Sequence, residues 1–140
     1  MIIRDIRLTD IVAAQRLLGQ LGYDLDETDV RTRLEQVLAT SGHHVFVAEI
    51  GSRVVGLLHV FERPALEKPC EAVVQALVVD SECRGGGIGE ALMRQAEAWA
   101  ADRNLGSTAL YTRIDRDGAH AFYERIGYRL AGTSHLMRRG

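Results

Sequence analysis

The spacing of apolar residues along the chain predicts which segments are helical and which are extended. Residues 1–8 are rich in isoleucine, which is typical of a strand. Residues 11–21 and 30–38 carry apolar side chains three or four positions apart, the spacing of one face of a helix, and a glycine follows each stretch. We therefore expect a first strand and then two amphipathic helices.

The pattern changes to that of strands in the middle of the chain. Residues 44–49 and 54–61 are rich in β-branched and aromatic residues and flank a Gly51-Ser52 turn, which predicts an antiparallel hairpin. Residues 71–79 are apolar on both faces, as in a central strand that is covered on both sides. The remaining segments predict a helix over 88–104, a strand over 108–112, a short helix over 119–126, and one or two last strands within 128–138.

Length and charge limit the class of protein. A chain of 140 residues fits a single domain over residues 1–140. A net charge of −2 provides no general attraction to nucleic acid or to acidic membranes, and no apolar run is long enough to span a bilayer. Cys70 and Cys83 are too few for a metal cluster or a disulfide framework, so we expect no metal and a reduced, cytoplasmic setting.

A glycine-rich loop connects the central strand to the following helix. It reads Cys83-Arg84-Gly85-Gly86-Gly87-Ile88-Gly89-Glu90. Glycines allow backbone conformations that other residues avoid, and they let a ligand approach the main chain. A helix that begins in such a loop presents unpaired N–H groups and a partial positive charge. This stretch predicts a pocket for a ligand that carries phosphate.

Two common phosphate-binding loops do not match this stretch. A P-loop requires a lysine followed by Ser or Thr after its second glycine, and the only lysine of the chain is Lys68. The dinucleotide fingerprint started at Gly85 would place Glu90 where its last glycine belongs. That fingerprint also belongs to a first βαβ unit, whereas this loop follows three or more predicted strands. The nucleotide-binding interpretations are therefore weak.

The loop forms one of two motifs that resemble a known family. Arg84-x-x-Gly87-x-Gly89, after Leu77-Val78-Val79, resembles the acyl-CoA-binding motif of the GNAT N-acetyltransferase superfamily. Downstream, Ala119-x-x-Phe122-Tyr123-Glu124-x-x-Gly127-Tyr128 is similar to a second motif of that superfamily. The resemblance covers residues 72–128 and implies an α/β fold with a mixed, mostly antiparallel central sheet flanked by helices on both faces. The residues of the second motif are most similar to those of small-molecule amine acetyltransferases of the aminoalkylphosphonate-acetyltransferase type.

The resemblance also implies where acetyl-CoA, the expected cosubstrate, would bind. The pyrophosphate would lie on the N–H groups of the loop, and the pantetheine arm would pair with the central strand where the next strand splays away. Arg84 could contact a phosphate or could be a solvated loop residue. The cofactor-binding residues expected on this basis are Leu77, Val78, Val79, Arg84, Gly85, Gly86, Gly87, Ile88 and Gly89.

Two catalytic candidates follow from the same comparison. Tyr123 matches the tyrosine that protonates the departing thiolate, although a core aromatic residue is the alternative. The family often places a glutamate base on the central strand, and the best-matching positions here hold Val73 and Ala76. Glu71 precedes Val73 by two residues and so faces the same side, which makes it a candidate base through water or a solvated strand-end carboxylate. His59 and His120 are further titratable candidates, and a packed or surface histidine is the alternative for each.

The expected activity is direct transfer of an acetyl group from acetyl-CoA to a primary amine of a small molecule. A main-chain N–H of Val79 or a neighbour would polarise the thioester carbonyl. Two alternatives stay open, namely a protein or peptide N-acetyltransferase and a non-catalytic acyl-CoA-binding module. A homodimer is also open, because a late strand could pair between two copies. We expect neither nucleic acid nor membrane as a partner.

Overall fold

The computed structural model describes residues 1–140, which form one five-stranded sheet with helices on both faces. The strands lie in the order β1 to β5, and every neighbouring pair is antiparallel except β4 and β5. The predicted mixed, mostly antiparallel α/β fold is thereby confirmed. The elements are β1 (Ile2–Asp5), α1 (Ile11–Gln20), α2 (Glu27–Ala39), β2 (His43–Ile50), β3 (Arg53–Arg63), β4 (Glu71–Val79), α3 (Ile88–Asp102), β5 (Thr108–Leu110) and α4 (Asp117–Arg125).

The sheet separates two hydrophobic cores. On one face, α1 and α2 pack on the sheet around the fully buried Leu17 and Val47. On the other face, α3 packs around Leu58 and Leu92. Strand β4 supplies Val78 to the first core and Val74 to the second, so its apolar sequence does reflect cover on both sides.

A glycine on β3 determines how closely α3 approaches the sheet. A Cβ at Gly56 would lie only 2.9 Å from Cδ1 of Leu92 and 3.1 Å from Cγ2 of Ile88. A side chain at this position would therefore push the helix outward. Since Ile88 is the first residue of α3, this contact also positions the glycine loop relative to β4.

Strands β4 and β5 run side by side for only part of their length. Their pairing extends from Ala72 opposite Thr108 to Val74 opposite Leu110. Strand β4 then continues to Val79, and a register shift against β3 leaves Gln75 as an extra, bulged residue. From Gln75 onward, the edge of β4 that faces β5 has no strand beside it.

The C-terminal segment differs from the prediction. No strand forms within residues 128–138, and the predicted strand over 108–112 ends at Leu110. The reason is that β5 contributes only three paired residues and the chain then leaves the sheet, so a later segment meets no extended ladder. Leu130 and Leu136 consequently remain 79% and 82% exposed. No helix in the structure combines the length and apolar character needed to cross a membrane.

Candidate active site

The start of α3, next to the glycine loop, has a row of main-chain N–H groups without a hydrogen-bond partner in the chain. Gly85 and Gly87 adopt left-handed conformations with φ of +86° and +83°, which glycine accommodates without strain. The N–H of Ala91 donates to the carbonyl of Gly87 at 3.0 Å, the first hydrogen bond of α3. The N–H groups of the preceding three residues, Ile88, Gly89 and Glu90, have no partner in the chain. Ile88 and Gly89 are among the expected cofactor-binding residues, and free N–H groups at the start of a helix suit an anion.

A buried carboxylate holds the base of this loop. Asp80, 1% exposed, accepts hydrogen bonds from the N–H of Glu82 at 3.1 Å, from Arg16 at 2.9 Å and from Arg53 at 3.2 Å. The hydrogen bond from the N–H of Glu82 is the main reason that the pKa of Asp80 stays below its usual value despite burial, and the side chain of Gln20 and the charges of Arg16 and Arg53 lower it further. Sequence reasoning missed this residue, although an Asp just before Ser81-Glu82 is a recognisable turn cap.

Main-chain groups on the unpaired edge of β4 continue the row of donors. The N–H of Asp80 donates to Val55 on β3 at 2.8 Å, so Val78 also faces β3, and the alternate residues Leu77 and Val79 face away from it. Leu77 and Val79 therefore present their peptide groups to the open edge. The main-chain groups of Val78 pair with Leu57 on β3.

Arg84 folds back over the end of this edge. Its Nε donates to the carbonyl oxygen of Val79 at 3.2 Å. The remaining N–H groups of the exposed guanidinium stay free beside the loop. Arg84 is thus a structural partner of β4 that still offers charge and donors at the loop.

The second motif meets the first through an aromatic contact. A Cβ at Gly89 would lie 3.1 Å from Cζ of Phe122 on α4 and 3.6 Å from Cγ2 of Val79 on β4. The glycine loop, the open edge and α4 therefore converge at Gly89. This convergence explains why the last glycine of the loop has no side chain.

Tyr123 lies next to Phe122 with its hydroxyl free of hydrogen bonds within the chain. Its ring packs edge-on against Phe122 at 5.0 Å and Tyr128 at 6.0 Å between centroids. Burial raises the pKa of Tyr123, so the phenol is protonated near neutral pH. The hydroxyl of Tyr128 donates to Glu97 of α3 at 2.6 Å, which fixes α4 against α3. Tyr123 therefore carries a protonated phenol on α4, directly after the Phe122 that contacts Gly89.

Glu71 lies away from this convergence. It begins β4, six residues before Leu77, a separation of about 20 Å at strand rise. Its carboxylate accepts hydrogen bonds from Arg63 at 2.7 Å and Ser107 at 3.2 Å and pairs with Lys68 at 3.2 Å. Partial burial raises its pKa, but these contacts outweigh burial and leave the pKa below its usual value. The structure does not bring Glu71 together with Tyr123.

His59, a further titratable candidate, lies on β3 beside a histidine of β2. It lies on β3 opposite Ala76, and its Nε2 is 2.9 Å from Nδ1 of His43. Burial and then the neighbouring His43 lower the pKa of His59 to about 4. Its imidazole is therefore neutral near pH 7. The sequence did not predict this contact, because the two histidines are brought together only by the pairing of β2 with β3.

A comparison with known protein families shows to which family the chain belongs. Residues 10–128 match the Acetyltransferase (GNAT) family. The chain belongs to the GNAT family. The match includes both the glycine loop and the α4 motif, so the suspected resemblance is confirmed.

Individual relatives agree with this family. N-acetyltransferase 8 of Mus musculus is 32% identical over 112 residues, or 78% of this chain and 48% of that protein. N-acetylaspartate synthetase of Homo sapiens is 32% identical over 143 residues, which is 94% of this chain and 46% of that protein. The chain spans about half the length of these curated relatives. The solved aminoglycoside N-acetyltransferase AAC(6')-Iy in complex with CoA has a TM-score of 0.90 at 15% identity over 99% of this chain and 93% of that one, which shows a shared fold.

Proposed function

We propose that this GNAT domain is an acetyl-CoA-dependent enzyme that transfers the acetyl group directly to a primary amine of a small molecule. The observation that carries the proposal is the set of free N–H groups at Ile88–Glu90, which meets the open edge of β4 and Phe122 of the α4 motif at Gly89. The names of the relatives, which are N-acetyltransferases, support the same reaction class.

The loop and the edge suit two parts of acetyl-CoA. The N–H groups at the start of α3 and the free guanidinium of Arg84 would hold the pyrophosphate. From there an extended arm would pass Val79 before it reaches Leu77. The N–H of Leu77 is therefore the donor we assign to the thioester oxygen, where negative charge develops during attack.

The proton balance involves Tyr123 and water. The amine nitrogen forms a bond to the carbonyl carbon, and the carbon–sulfur bond then breaks. Tyr123 gives its proton to the departing thiolate, and water takes the excess proton of the amine. His59 and Glu71 are not assigned to these steps, because one is paired with His43 and the other with Arg63 and Lys68.

The first test is the substitution Tyr123→Phe. Loss of a general acid is expected to lower kcat by about 100-fold or more, while the thermal shift caused by CoA stays the same. Tyr23→Phe is the matched control, because Tyr23 is 57% exposed in the loop between α1 and α2. Equal kcat in Tyr123→Phe and the parent protein would refute the assignment of Tyr123.

A second test separates the proposed enzyme from its alternatives. Thiol release from acetyl-CoA is measured against amines, aminophosphonates and peptides, together with the thermal shift caused by CoA. We expect stabilisation by CoA and release with small amines. Release with peptides alone would favour a peptide N-acetyltransferase, and stabilisation without any release would favour an acyl-CoA-binding module.

A further inference from the structure

One polar side chain interrupts the apolar sequence of β4. Residues 72–79 are all apolar except Gln75. Gln75 is exposed, whereas Val74 before it is buried in the core under α3. Of the five glutamines of the chain, only Gln15 and Gln20 use their side chains in hydrogen bonds within the chain. The amide oxygen and the NH2 group of Gln75 are therefore available to a ligand.

The bulge explains how a polar residue occupies the middle of a covered strand. Val74 belongs to the core on the α3 side and Val78 to the core on the α1 and α2 side, although residues four apart in a regular strand share a face. The extra residue Gln75 shifts the alternation between them. Strand β5 ends at the same position, because its last residue, Leu110, lies opposite Val74. The side chain of Gln75 is therefore exposed where the open edge of β4 begins.

Gln75 lies next to the place where the acetyl group would end. Leu77, the residue assigned to the thioester oxygen, follows Gln75 by two positions, about 7 Å along the strand. The arm of acetyl-CoA would run along the edge from Val79 to Leu77, so a group that lies beyond the thioester carbonyl in the same direction meets Gln75. Among the side chains of β4, Gln75 is thus the polar one closest to the attacking amine.

An uncharged amide suits an amine that must react as the free base. A neutral primary amine points its lone pair at the carbonyl carbon, and its N–H groups then need acceptors. The side-chain oxygen of Gln75 can accept from one of them. A carboxylate at this position would instead favour the protonated ammonium, which has no lone pair for the attack. As the carbon–nitrogen bond forms, positive charge develops on the nitrogen, and the dipole of the amide C=O stabilises that charge.

We propose that Gln75 is a catalytic residue that binds the attacking amine. Its side-chain oxygen accepts a hydrogen bond from the amine nitrogen and directs the lone pair toward the thioester carbonyl at Leu77. The inference rests on the proposed function and adds a contact to the acceptor. The bonds that form and break are those of the proposed transfer, and water still takes the excess proton of the amine.

The first experiment removes the amide and keeps the length of the side chain. Gln75→Met is expected to lower kcat/KM for benzylamine, whose only polar group is its nitrogen, by about tenfold, because one hydrogen bond is lost. The thermal shift caused by CoA should stay the same. Gln36→Met, a change of an exposed glutamine of α2, is the matched control and should keep the kcat/KM of the parent protein. Equal kcat/KM in Gln75→Met and the parent protein would overturn the proposal, whereas a parent protein that releases no thiol with any amine would refute the proposed function itself.

The second experiment uses NMR and does not need turnover. The chain has five glutamines and one asparagine, so its side-chain NH2 signals are few, and the signal of Gln75 is the one that is missing in Gln75→Met. In protein saturated with CoA, we expect benzylamine to shift the signal of Gln75 and to leave that of Gln36 in place. An unmoved Gln75 signal would refute the contact even in an active enzyme. A shift without thiol release in the parent protein would support the contact and count against acetyl transfer.

Discussion

Acidification from pH 7 to pH 5 is expected to destabilise the fold through His59. Burial, and then the adjacent His43, lower the pKa of His59 to about 4, from 6.5 for an unperturbed imidazole. The unfolded chain binds a proton below pH 6.5 that the folded protein does not bind until about pH 4. Stability is therefore complete above pH 6.5 and is lost as the pH falls from 6.5 toward 4.

The two pKa values determine the size of the effect. A shift from 6.5 to about 4 corresponds to about 3 kcal/mol when the whole window is crossed. Between pH 7 and pH 5 only part of this window is crossed, which leaves about 2 kcal/mol. Because the ring of His59 is only half-buried, solvent screening reduces the expected loss to about 1–2 kcal/mol.

Urea unfolding at pH 7 and pH 5, followed by circular dichroism, measures this loss. His59→Gln should show a smaller decrease in the free energy of unfolding between the two pH values, whatever its stability at pH 7. His135→Gln, a change in the exposed C-terminal segment, should behave like the parent protein. An equal decrease in His59→Gln and the parent protein would contradict the reasoning, as would a pKa near 6.5 for His59 in an NMR titration.

Three further predictions concern how the site is positioned. Gly56→Ala should destabilise the fold by about 1–3 kcal/mol, because its Cβ would lie 2.9 Å from a buried leucine of α3; Gly106→Ala, with open space around it, should not lower the melting temperature. Tyr128→Phe should cost about 1–3 kcal/mol in urea unfolding through loss of the 2.6 Å bond to Glu97, and an unchanged unfolding midpoint would argue against this anchor. Asp80→Asn should raise KM for acetyl-CoA more than it lowers kcat, and steady-state kinetics with an unchanged KM would exclude this positioning role.

The order of helices and strands up to α4 was accessible from the sequence because it depends on local spacing. The 3.6-residue period of α1 and the two-sided apolar character of β4 each report burial within one element. The glycines of the loop were equally readable, since Gly85 and Gly87 adopt the left-handed conformations that other residues avoid. The C-terminal segment could not be predicted in this way, because a strand requires a neighbour and β5 is too short to provide one.

The sequence by itself determined the mixed α/β fold and the two family motifs, since periodicity, turn residues and glycine positions are properties of neighbouring residues. Only the tertiary structure decided which groups meet. It placed Phe122 against Gly89, turned the peptide groups of Leu77 and Val79 to an open edge, and held Glu71 in ion pairs away from Tyr123. The physical reason is that strand pairing, the bulge at Gln75 and helix packing bring together residues that are distant along the chain. The pattern of neighbouring residues does not contain information about such contacts.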